Sequence, residues 1–466
     1  MFFGRDQELS RLHQEFAAKR PSLLVVYGRR RVGKSELLKE ATTGRPHIIF
    51  QATRVTSDLN LETFKAEIAR SLGSDALLDG LNEWMGVLTY LARKAGDIPG
   101  LVVVLDEFPY LVDTNPALPS IVQKFWDLVV AGNGSLNLVL CGSLIAQMEE
   151  LLAERNPLHG RRTLSMDVQP LPLRDAAKFF PKYPAEDRIE AYGIFGGVPA
   201  YLRLCDSSES LQQNIINLML ANSAVMIDEP ELLLQSELRE TQRYASILAA
   251  IAAGCTKRGE IVDRVGDLSN AASLSPYMER LERMRFVRHV QSLDAAPKAR
   301  DRRYFIDDPF IAFWHRFVRP NISSITQGFG ADVWRYQVKP RLDEYMGSAF
   351  EEICRNHARR HAQERLPAPA QVIGQVWAAD YDIDVVGRLL DNSVLYGECK
   401  WRRGAVGEDV VTALIERAER TSFGRGVQDR HYVLYARNGF KSTVTARAAE
   451  DERIVLYTPE DLLGGI

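Results

Sequence analysis

Apolar residues in the first part of the chain gather into short runs that end in small or charged residues. Residues 22–28 are SLLVVYG, residues 101–108 are LVVVLDEF, and residues 136–143 are LNLVLCGS. Runs of this length, rich in β-branched residues, are typical of strands buried in a parallel sheet. The pattern therefore predicts an α/β fold here.

The pattern changes after about residue 238. LRETQRYASILAAIAAG has apolar positions at helical spacing, KRGEIVDRVG predicts a short second helix, and LSNAASLSPYMERLERMRFVRHV predicts a turn, a third helix and a strand. Three helices followed by a strand pair is the order of a winged helix-turn-helix domain.

From about residue 340 the pattern predicts the order helix, strand, strand, helix, strand. The two adjacent strands, 381–389 and 393–401, are joined by the turn signal LDN. A hairpin centred on Asp391 places Asp384 opposite Glu398, and Lys400 shares the face of Glu398 because side chains alternate along a strand. One face is therefore predicted to carry two carboxylates and an ammonium group.

Composition narrows the class of protein. A chain of 466 residues predicts several domains, and its net charge of −3 provides no overall basic field for nucleic acid. The cysteines are scattered without a CxxC pair, which argues against a disulfide framework or a cysteine zinc site. Charges interrupt the N-terminal segment, and no apolar run is long enough to span a membrane. We expect a cytoplasmic protein without a membrane partner.

The clearest chemical motif follows the first predicted strand. Residues 28–35 are GRRRVGKS, which is G-x-x-x-x-G-K-S between a strand and a helix. Backbone N–H groups of such a loop and the helix N-terminus cradle phosphates, Lys34 reaches the β- and γ-phosphates, and Ser35 supplies a hydroxyl to Mg²⁺. The predicted cofactors are ATP and Mg²⁺. The predicted contacts of this segment are Gly28, Arg29, Arg30, Arg31, Val32, Gly33, Lys34, Ser35 and Glu36.

Polar side chains also follow the next two predicted strands. Asp106 is predicted to hold Mg²⁺ through water, and Glu107 to polarise the attacking water. Ser143 is either a sensor of the γ-phosphate or a turn serine. Arg161 and Arg162 are either phosphate-sensing arginines or solvated ones.

The opening Phe3-Gly4-Arg5, followed by Glu8-Leu9, resembles the FxGRxxEL start of archaeal-type P-loop ATPases, which are grouped with the AAA+ and STAND NTPases. FGGVPAYL at 195–202 resembles their GxP element. The resemblance covers residues 1 to about 205 and implies that Gly4 and Arg5 line the adenine pocket and that Pro199 closes over the base.

Two further resemblances concern the second half. YFIDDPFIAFWHRFV at 304–318 resembles a segment of ATPases of the same type that carry a C-terminal DUF234 domain, and as physics it is a core-packing helix. The element order after residue 340 resembles the PD-(D/E)XK nuclease fold. That resemblance implies Mg²⁺ held by Asp384, Glu398 and the Cys399 carbonyl, with Lys400 orienting the water. Glu351, or its neighbour Glu352, would be the extra acidic residue.

Arginines concentrate at 280–303, where the net charge is +5 over 24 residues. Such a footprint suits the phosphates of DNA, but docking of this region within the chain is an equal alternative. We expect an ATPase core (1–205), a lid with winged helix (206–305) and a nuclease-like domain (306–466). The predicted function is an ATP-driven switch coupled to a DNA-binding module with Mg-dependent nuclease activity. The alternative is a scaffold ATPase that binds without cleaving, and a homo-oligomer fits either.

Overall fold

The computed structural model describes residues 2–132, 135–238, 240–266, 268, 270–296 and 301–465. They form two compact units. The first comprises Met1–Leu171 with Val198–Ala200, and the second comprises Pro172–Gly197 with Tyr201–Ile466. The bounds of the three domains expected from the sequence remain a prediction.

The first unit is built on a parallel sheet with the strand order β2-β3-β4-β1-β5. Alternate residues of the first strand enter two different cores, Leu23 and Val25 on one face and Leu24 and Val26 on the other. Burial on both faces explains the continuous apolar runs in the sequence. The strands are β1 (Ser22–Tyr27), β2 (His47–Gln51), β3 (Val102–Asp106), β4 (Asn137–Gly142) and β5 (Leu164–Asp167).

Helices cover both faces of this sheet, as the predicted α/β fold requires. They are α1 (Asp6–Phe16), α2 (Lys34–Thr42), α3 (Ser57–Leu72), α4 (Ala76–Asp79), α5 (Trp84–Asp97), α6 (Phe108–Thr114), α7 (Leu118–Ala131) and α8 (Ile145–Leu152).

The second unit begins with helices and a β-hairpin, and the last three helices before the hairpin follow the predicted order of three helices and two strands. Lys298 and Arg300, which come between the two strands in the sequence, lie outside the described residues. The elements are α9 (Leu173–Ala177), α10 (Ala185–Phe195), α11 (Pro199–Leu202, of which Pro199 and Ala200 belong to the first unit), α12 (Leu211–Ile215), α13 (Glu229–Glu237), α14 (Thr241–Ala252), α15 (Arg258–Val265), α16 (Ala271–Arg283), β6 (Val287–Gln291) and β7 (Arg302–Ile306).

The aromatic segment after the hairpin packs into the interior. Phe310, Phe313, Trp314 and Phe317 are all buried, which confirms the prediction of a core-packing helix. The helices here are α17 (Pro309–Phe313), α18 (Ile322–Thr326), α19 (Gly330–Val333) and α20 (Leu342–His361), with π-helical turns at Trp314–Val318 and Trp334–Val338.

The C-terminal part is a mixed sheet with the order β12-β11-β10-β9-β8. The predicted order was incomplete, because β8 precedes the predicted hairpin and β12 follows the last predicted strand. β8 (AQVIGQVW) alternates weakly around Gly374, and β12 has only four residues, so neither gave a clear signal. The elements are β8 (Ala370–Trp377), β9 (Asp382–Leu389), β10 (Val394–Lys400), α21 (Glu408–Arg420), β11 (Arg430–Ala436), α22 (Ser442–Glu450), β12 (Ile454–Tyr457) and α23 (Pro459–Leu463).

The hairpin of β9 and β10 has the predicted register. Gly397 lies opposite Val385, and Tyr396 lies opposite Val386. Glu398 and Asp384 are the next positions along the two strands, and the charge of Glu398 acts on Asp384.

Candidate functional site

The loop between β1 and α2 folds tightly at its two glycines. A Cβ on Gly28 would lie 2.3 Å from the carbonyl oxygen of Val168, and Gly33 has a φ of +90°. Neither backbone position accepts a side chain without strain, so the motif's glycines are required by geometry. Helix α2 then begins at Lys34, with its N-terminus at the loop.

Lys34 is folded onto this loop. Its Nζ donates to the carbonyl oxygens of Gly28 (2.9 Å) and Arg29 (3.0 Å). Burial lowers the pKa of Lys34. The ammonium group is thus held by carbonyl dipoles rather than by a carboxylate, which leaves its charge to attract an anion.

Ser35 and Asp106 meet beside the loop, since the Ser35 Oγ donates to Asp106 Oδ2 at 2.6 Å. A hydroxyl and a buried carboxylate side by side are the hard oxygen ligands that Mg²⁺ takes in nucleotide sites. The residues present therefore fit a magnesium ion that also binds phosphates.

Glu107 occupies a strained position at the end of β3. Its φ of +53° is in the left-handed region, which is rare for a residue with a side chain. Its Oε2 accepts from the Ser143 Oγ at 2.9 Å. Ser143, at the end of the adjacent strand β4, therefore fixes the carboxylate that the sequence predicts to act on water.

The opening segment also reaches the phosphate loop. Arg5 has a φ of +71°, and its Nη2 donates to the carbonyl oxygen of Val32 at 2.9 Å. Gly4 precedes it with a φ of +68°. Pro199 lies at the same loop, 3.7 Å from where a Cβ on Gly33 would stand. These residues gather at the loop, while their part in an adenine pocket remains a prediction.

The arginines predicted near the phosphates have different surroundings. Arg29 is buried, and Arg30 Nη2 donates to the Tyr110 hydroxyl at 2.7 Å. Arg161 forms two hydrogen bonds to the Asp127 carboxylate, at 2.8 and 3.0 Å, and Arg162 donates to the Leu152 carbonyl. Both arginines thus contact groups of the chain, and the two alternatives predicted for them, phosphate sensing and solvation, stay predictions.

The flanking positions of the motif lie at the surface. Arg31 is exposed with a φ of +68°, and the exposed Glu36 pairs with Lys39 at 3.2 Å on the first turns of α2. Val32 is fully buried in the core that contains Leu24 and Val26.

In the C-terminal sheet, both oxygens of Glu398 are taken by cations of the chain. Lys400 Nζ lies 2.5 Å from Oε1, and Arg417 Nη2, on α21, lies 2.8 Å from Oε2. Glu398 is almost fully buried, whereas Lys400 is partly exposed. Burial lowers the pKa of Lys400, but the charge of the Glu398 carboxylate raises it, so that the pKa lies above its usual value.

Two further carboxyl groups face this pair. Asp384 Oδ2 accepts from the Cys399 backbone N–H at 2.9 Å, and Glu351, on α20, lies 3.6 Å from Arg355. Burial, with the charges of Glu351 and Glu398, raises the pKa of Asp384 to about 8. Burial also raises the pKa of Glu351.

Glu352 belongs to a different contact. Burial raises the pKa of Glu352, but three neighbouring arginines lower it to about 2 overall. These arginines are Arg288, Arg355 and Arg359. Of the two acidic neighbours on α20, only Glu351 therefore faces the Asp384–Glu398 pair.

A divalent ion does not fit this cluster as it stands. Within the described ranges, no three His, Cys, Asp or Glu side chains converge as a metal site. Since Lys400 and Arg417 hold both oxygens of Glu398, a metal could enter only after one of them moved. Asp384, Glu398 and the Cys399 carbonyl remain the predicted metal ligands.

The hairpin of β6 and β7 docks within the second unit. The Leu293 N–H donates to the Gln375 carbonyl at 3.0 Å, and the Trp377 N–H donates to Ser292 Oγ at 3.1 Å. Arg303 lies over the Trp377 ring. The segment that directly follows β6 thus covers the edge strand β8, while Arg283 and Arg302 stay exposed.

Sequence reasoning missed Arg417, Tyr110 and Arg54. Arg417 lies 19 residues after Glu398 on another element, and only folding shows that they pair. Tyr110 follows the acidic pair in DEFPY, so its place on the first turn of α6 was a usable signal. Arg54 lies in a loop without a motif and had none.

The parallel sheet, the phosphate loop and the acidic strand end define a P-loop nucleotide-binding protein. Residues 2–205 match the family described as an ATPase domain predominantly from Archaea. Residues 314–414 match DUF234, described as "Archaea bacterial proteins of unknown function".

One relative is similar to this chain over most of both sequences. An uncharacterized protein of Methanocaldococcus jannaschii, MJECL04, is 30% identical over 408 residues, which covers 86% of this chain and 88% of that one. The chain belongs to the family of archaeal-type ATPases with a C-terminal DUF234 domain.

Solved structures with a similar fold have low identity. The Walker-type ATPase PABY2304 of Pyrococcus abyssi is 22% identical with a TM-score of 0.49, covering 68% of this chain and 96% of that one. The ORC2 protein of Aeropyrum pernix, in ADPNP–ADP complexes, is 14% identical with a TM-score of 0.45, covering 69% and 94%. These likenesses carry no part of the functional argument.

One structural property concerns membranes. Among the helices in the described part of the chain, none combines the length and apolar character needed to cross a bilayer.

Proposed function

We propose that the protein binds and hydrolyses ATP and uses the nucleotide state to switch the second unit. The observation that carries this proposal is the group at the strand ends. Ser35 Oγ lies 2.6 Å from the Asp106 carboxylate, and Ser143 holds Glu107 next to them. This is the constellation that phosphoryl transfer to water requires: a phosphate cradle, metal ligands and a base.

Each residue has a chemical task. Lys34 exchanges its loop carbonyls for β- and γ-phosphate oxygens, and Glu107 orients the attacking water and accepts its proton. Ser35 and Asp106 would hold Mg²⁺, which when bound would neutralise charge on the phosphates. Arg5 and Pro199 would enclose the nucleotide from the side of the loop.

Nucleotide state would reach the second unit through α10. Its first turns bind Arg437, which contacts Glu186 at 2.7 Å and Asp343 at 2.6 Å. The Arg437 backbone N–H donates to the Lys400 carbonyl at 3.0 Å. Helix α10 ends at Phe195, three residues before the Val198–Pro199 bond, so a shift of Pro199 on nucleotide binding would pull on this helix.

DNA is the partner we propose for the second unit. Arg283 and Arg302 are exposed on the third helix and the hairpin, where cations contact phosphates in winged helices. The observation against a larger interface is that Arg288 is already paired, with Asp307 at 3.3 Å and Glu352 at 2.9 Å.

The test measures phosphate release and DNA binding together, with ADP and with a non-hydrolysable ATP analogue. We expect steady ATP hydrolysis and a DNA affinity that differs between the two nucleotides. Lys34→Ala should remove that difference, while the control Lys39→Ala, which changes an exposed lysine on the same helix, should keep it. Equal DNA affinity in both nucleotide states would contradict the switch.

A second candidate function is phosphodiester cleavage by the C-terminal cluster. It is favoured by the shared face of Asp384, Glu398 and Lys400, with Glu351 opposite them. The test is cleavage of plasmid and single-stranded DNA with Mg²⁺ or Mn²⁺, with and without ATP. Cleavage that disappears in Lys400→Ala supports this function, and the absence of cleavage in the wild type leaves the binding module as the conclusion.

A further inference from the structure

Tyr110 brings two arginines together above the phosphate loop. Its ring packs against the core of the first unit, and its hydroxyl accepts from Arg30 Nη2 at 2.7 Å. The guanidinium carbon of Arg54 lies 4.8 Å from the centre of the same ring. One fixed aromatic side chain therefore determines the position of both cations.

Both arginines follow strands of the parallel sheet at its carboxyl end, which is also where the acidic pair Asp106 and Glu107 lies. Strand β2 neighbours β3, and the Ala52 N–H after β2 donates to the Asp106 carbonyl at 2.9 Å. Arg54 is two residues further on, and Tyr110 is three residues after Glu107. Arg30 belongs to the loop itself, within range of the Lys34 charge.

In the part of the chain that the structure describes, the charge of Arg54 has no carboxylate partner. Across the residues that the structure describes, neither Arg54 nor Arg30 pairs with a carboxylate, in contrast to Arg161, which Asp127 holds with two hydrogen bonds. Contact with an aromatic ring uses no N–H donor of the guanidinium group. Arg54 therefore keeps both its charge and its donors for an anionic ligand.

We propose that Arg54 contacts the γ-phosphate of ATP in the transition state of hydrolysis and that Tyr110 is its positioning residue. The inference rests on the proposed ATP hydrolysis. Water oxygen forms a bond to the γ-phosphorus, the bond from that phosphorus to the β–γ bridging oxygen breaks, and its electron pair leaves with ADP. Glu107 accepts the proton of the water, and Arg54 offsets the charge on the oxygens of the phosphoryl group that is transferred to water.

The test compares ATP turnover, nucleotide affinity and trapping of ADP with aluminium fluoride in the full-length protein. The variants are Arg54→Ala, Arg54→Lys and Tyr110→Leu, and the control is Arg70→Ala, an exposed arginine of the same unit that pairs with Glu67. We expect Arg54→Ala to lower kcat at least about a hundredfold and to abolish trapping, with ATP affinity changed less than about threefold. Arg54→Lys should restore part of kcat, and Tyr110→Leu should lower kcat by an intermediate factor.

Three results would overturn the inference. The first is a kcat for Arg54→Ala that equals that of Arg70→Ala. The second is a loss confined to ATP affinity, which would make Arg54 a residue of ground-state binding. The third is a loss of kcat in Arg161→Ala instead. An absence of hydrolysis in the wild type would remove the proposed function itself, which is a distinguishable outcome.

Discussion

The nucleotide loop and the C-terminal cluster both place charged side chains at the ends of strands, but they balance charge in opposite ways. At the loop, Lys34 is bound to carbonyl oxygens and Arg54 to an aromatic ring. At the C-terminal cluster, Glu398 is bound to Lys400 and Arg417. The first region keeps positive charge for an anion, whereas the second has neutralised its carboxylate internally.

Similar residue types at similar places in a sheet therefore do not define similar sites. A lysine that faces dipoles remains a receptor for phosphate, while a lysine paired with a buried carboxylate is first a structural group. Metal binding at the C-terminal cluster therefore requires that Lys400 or Arg417 leave a carboxylate, whereas phosphate binding at the loop requires only that Lys34 leave carbonyl oxygens.

The largest expected effect concerns the base at the loop. Glu107→Gln keeps the hydrogen bond from Ser143 but cannot accept a proton, so we expect ATP hydrolysis to fall about a thousandfold with nucleotide affinity retained. Phosphate release and equilibrium binding of a fluorescent ATP analogue measure the two effects. Turnover near that of the wild type would exclude Glu107 as the base.

The next effect concerns the paired carboxylate. Arg417→Ala removes one of two partners from the nearly buried Glu398, and we expect it to lower the free energy of unfolding by about 2–3 kcal/mol. The control Arg420→Ala breaks an exposed pair with Asp380 and should cost less than about 1 kcal/mol. Urea denaturation compares them, and equal losses would mean that Glu398 is not held as described.

A smaller effect distinguishes the two units by pH. Burial lowers the pKa values of His315 and His357, both in the second unit, to about 3, while the histidines of the first unit are exposed. Their neutral forms are favoured in the fold, so this stabilisation is complete above about pH 6.5 and is lost as the pH falls towards 3.

At pH 5 each buried histidine should therefore lower the free energy of unfolding by about 2 kcal/mol relative to neutral pH. His357→Phe should reduce the acid sensitivity of unfolding by this amount, whereas replacement of the exposed His159 should not. An unchanged pH dependence in His357→Phe would show that this histidine can be protonated in the folded protein.

The smallest effect concerns Arg161, one of the two arginines for which phosphate sensing was an alternative. Arg161→Ala breaks a largely exposed pair with Asp127 and should reduce stability by less than about 1 kcal/mol. We expect phosphate release to stay at the wild-type rate. A fall of tenfold or more, which corresponds to an increase of about 1.4 kcal/mol in the activation barrier, would show that Arg161 takes part in catalysis.

The sequence was sufficient where short-range order decides the geometry. GRRRVGKS forms a phosphate loop because strand, glycines and helix are contiguous, and LDN determines the register that brings Asp384 and Glu398 together. In both places the partners of each residue are set by a turn of known length.

The sequence was insufficient where partners come from distant elements. Arg417 pairs with Glu398 only because α21 packs on β10, and Arg54 meets Tyr110 because β2 neighbours β3. The edge strand β8 was also not predicted, since apolar and polar residues alternate only weakly along it. Part of its stabilisation comes from Ser292 and Leu293, which follow β6. Cation partners and edge strands depend on tertiary packing, which no local pattern encodes.

The most direct test of the contrast between the two regions is equilibrium binding of labelled ATP with Mg²⁺ to the wild type, Lys34→Ala and Lys400→Ala. We predict one ATP per chain, lost in Lys34→Ala and retained in Lys400→Ala, because only the first lysine has its charge free of a carboxylate. Binding that survives Lys34→Ala, or that disappears in Lys400→Ala, would contradict the account.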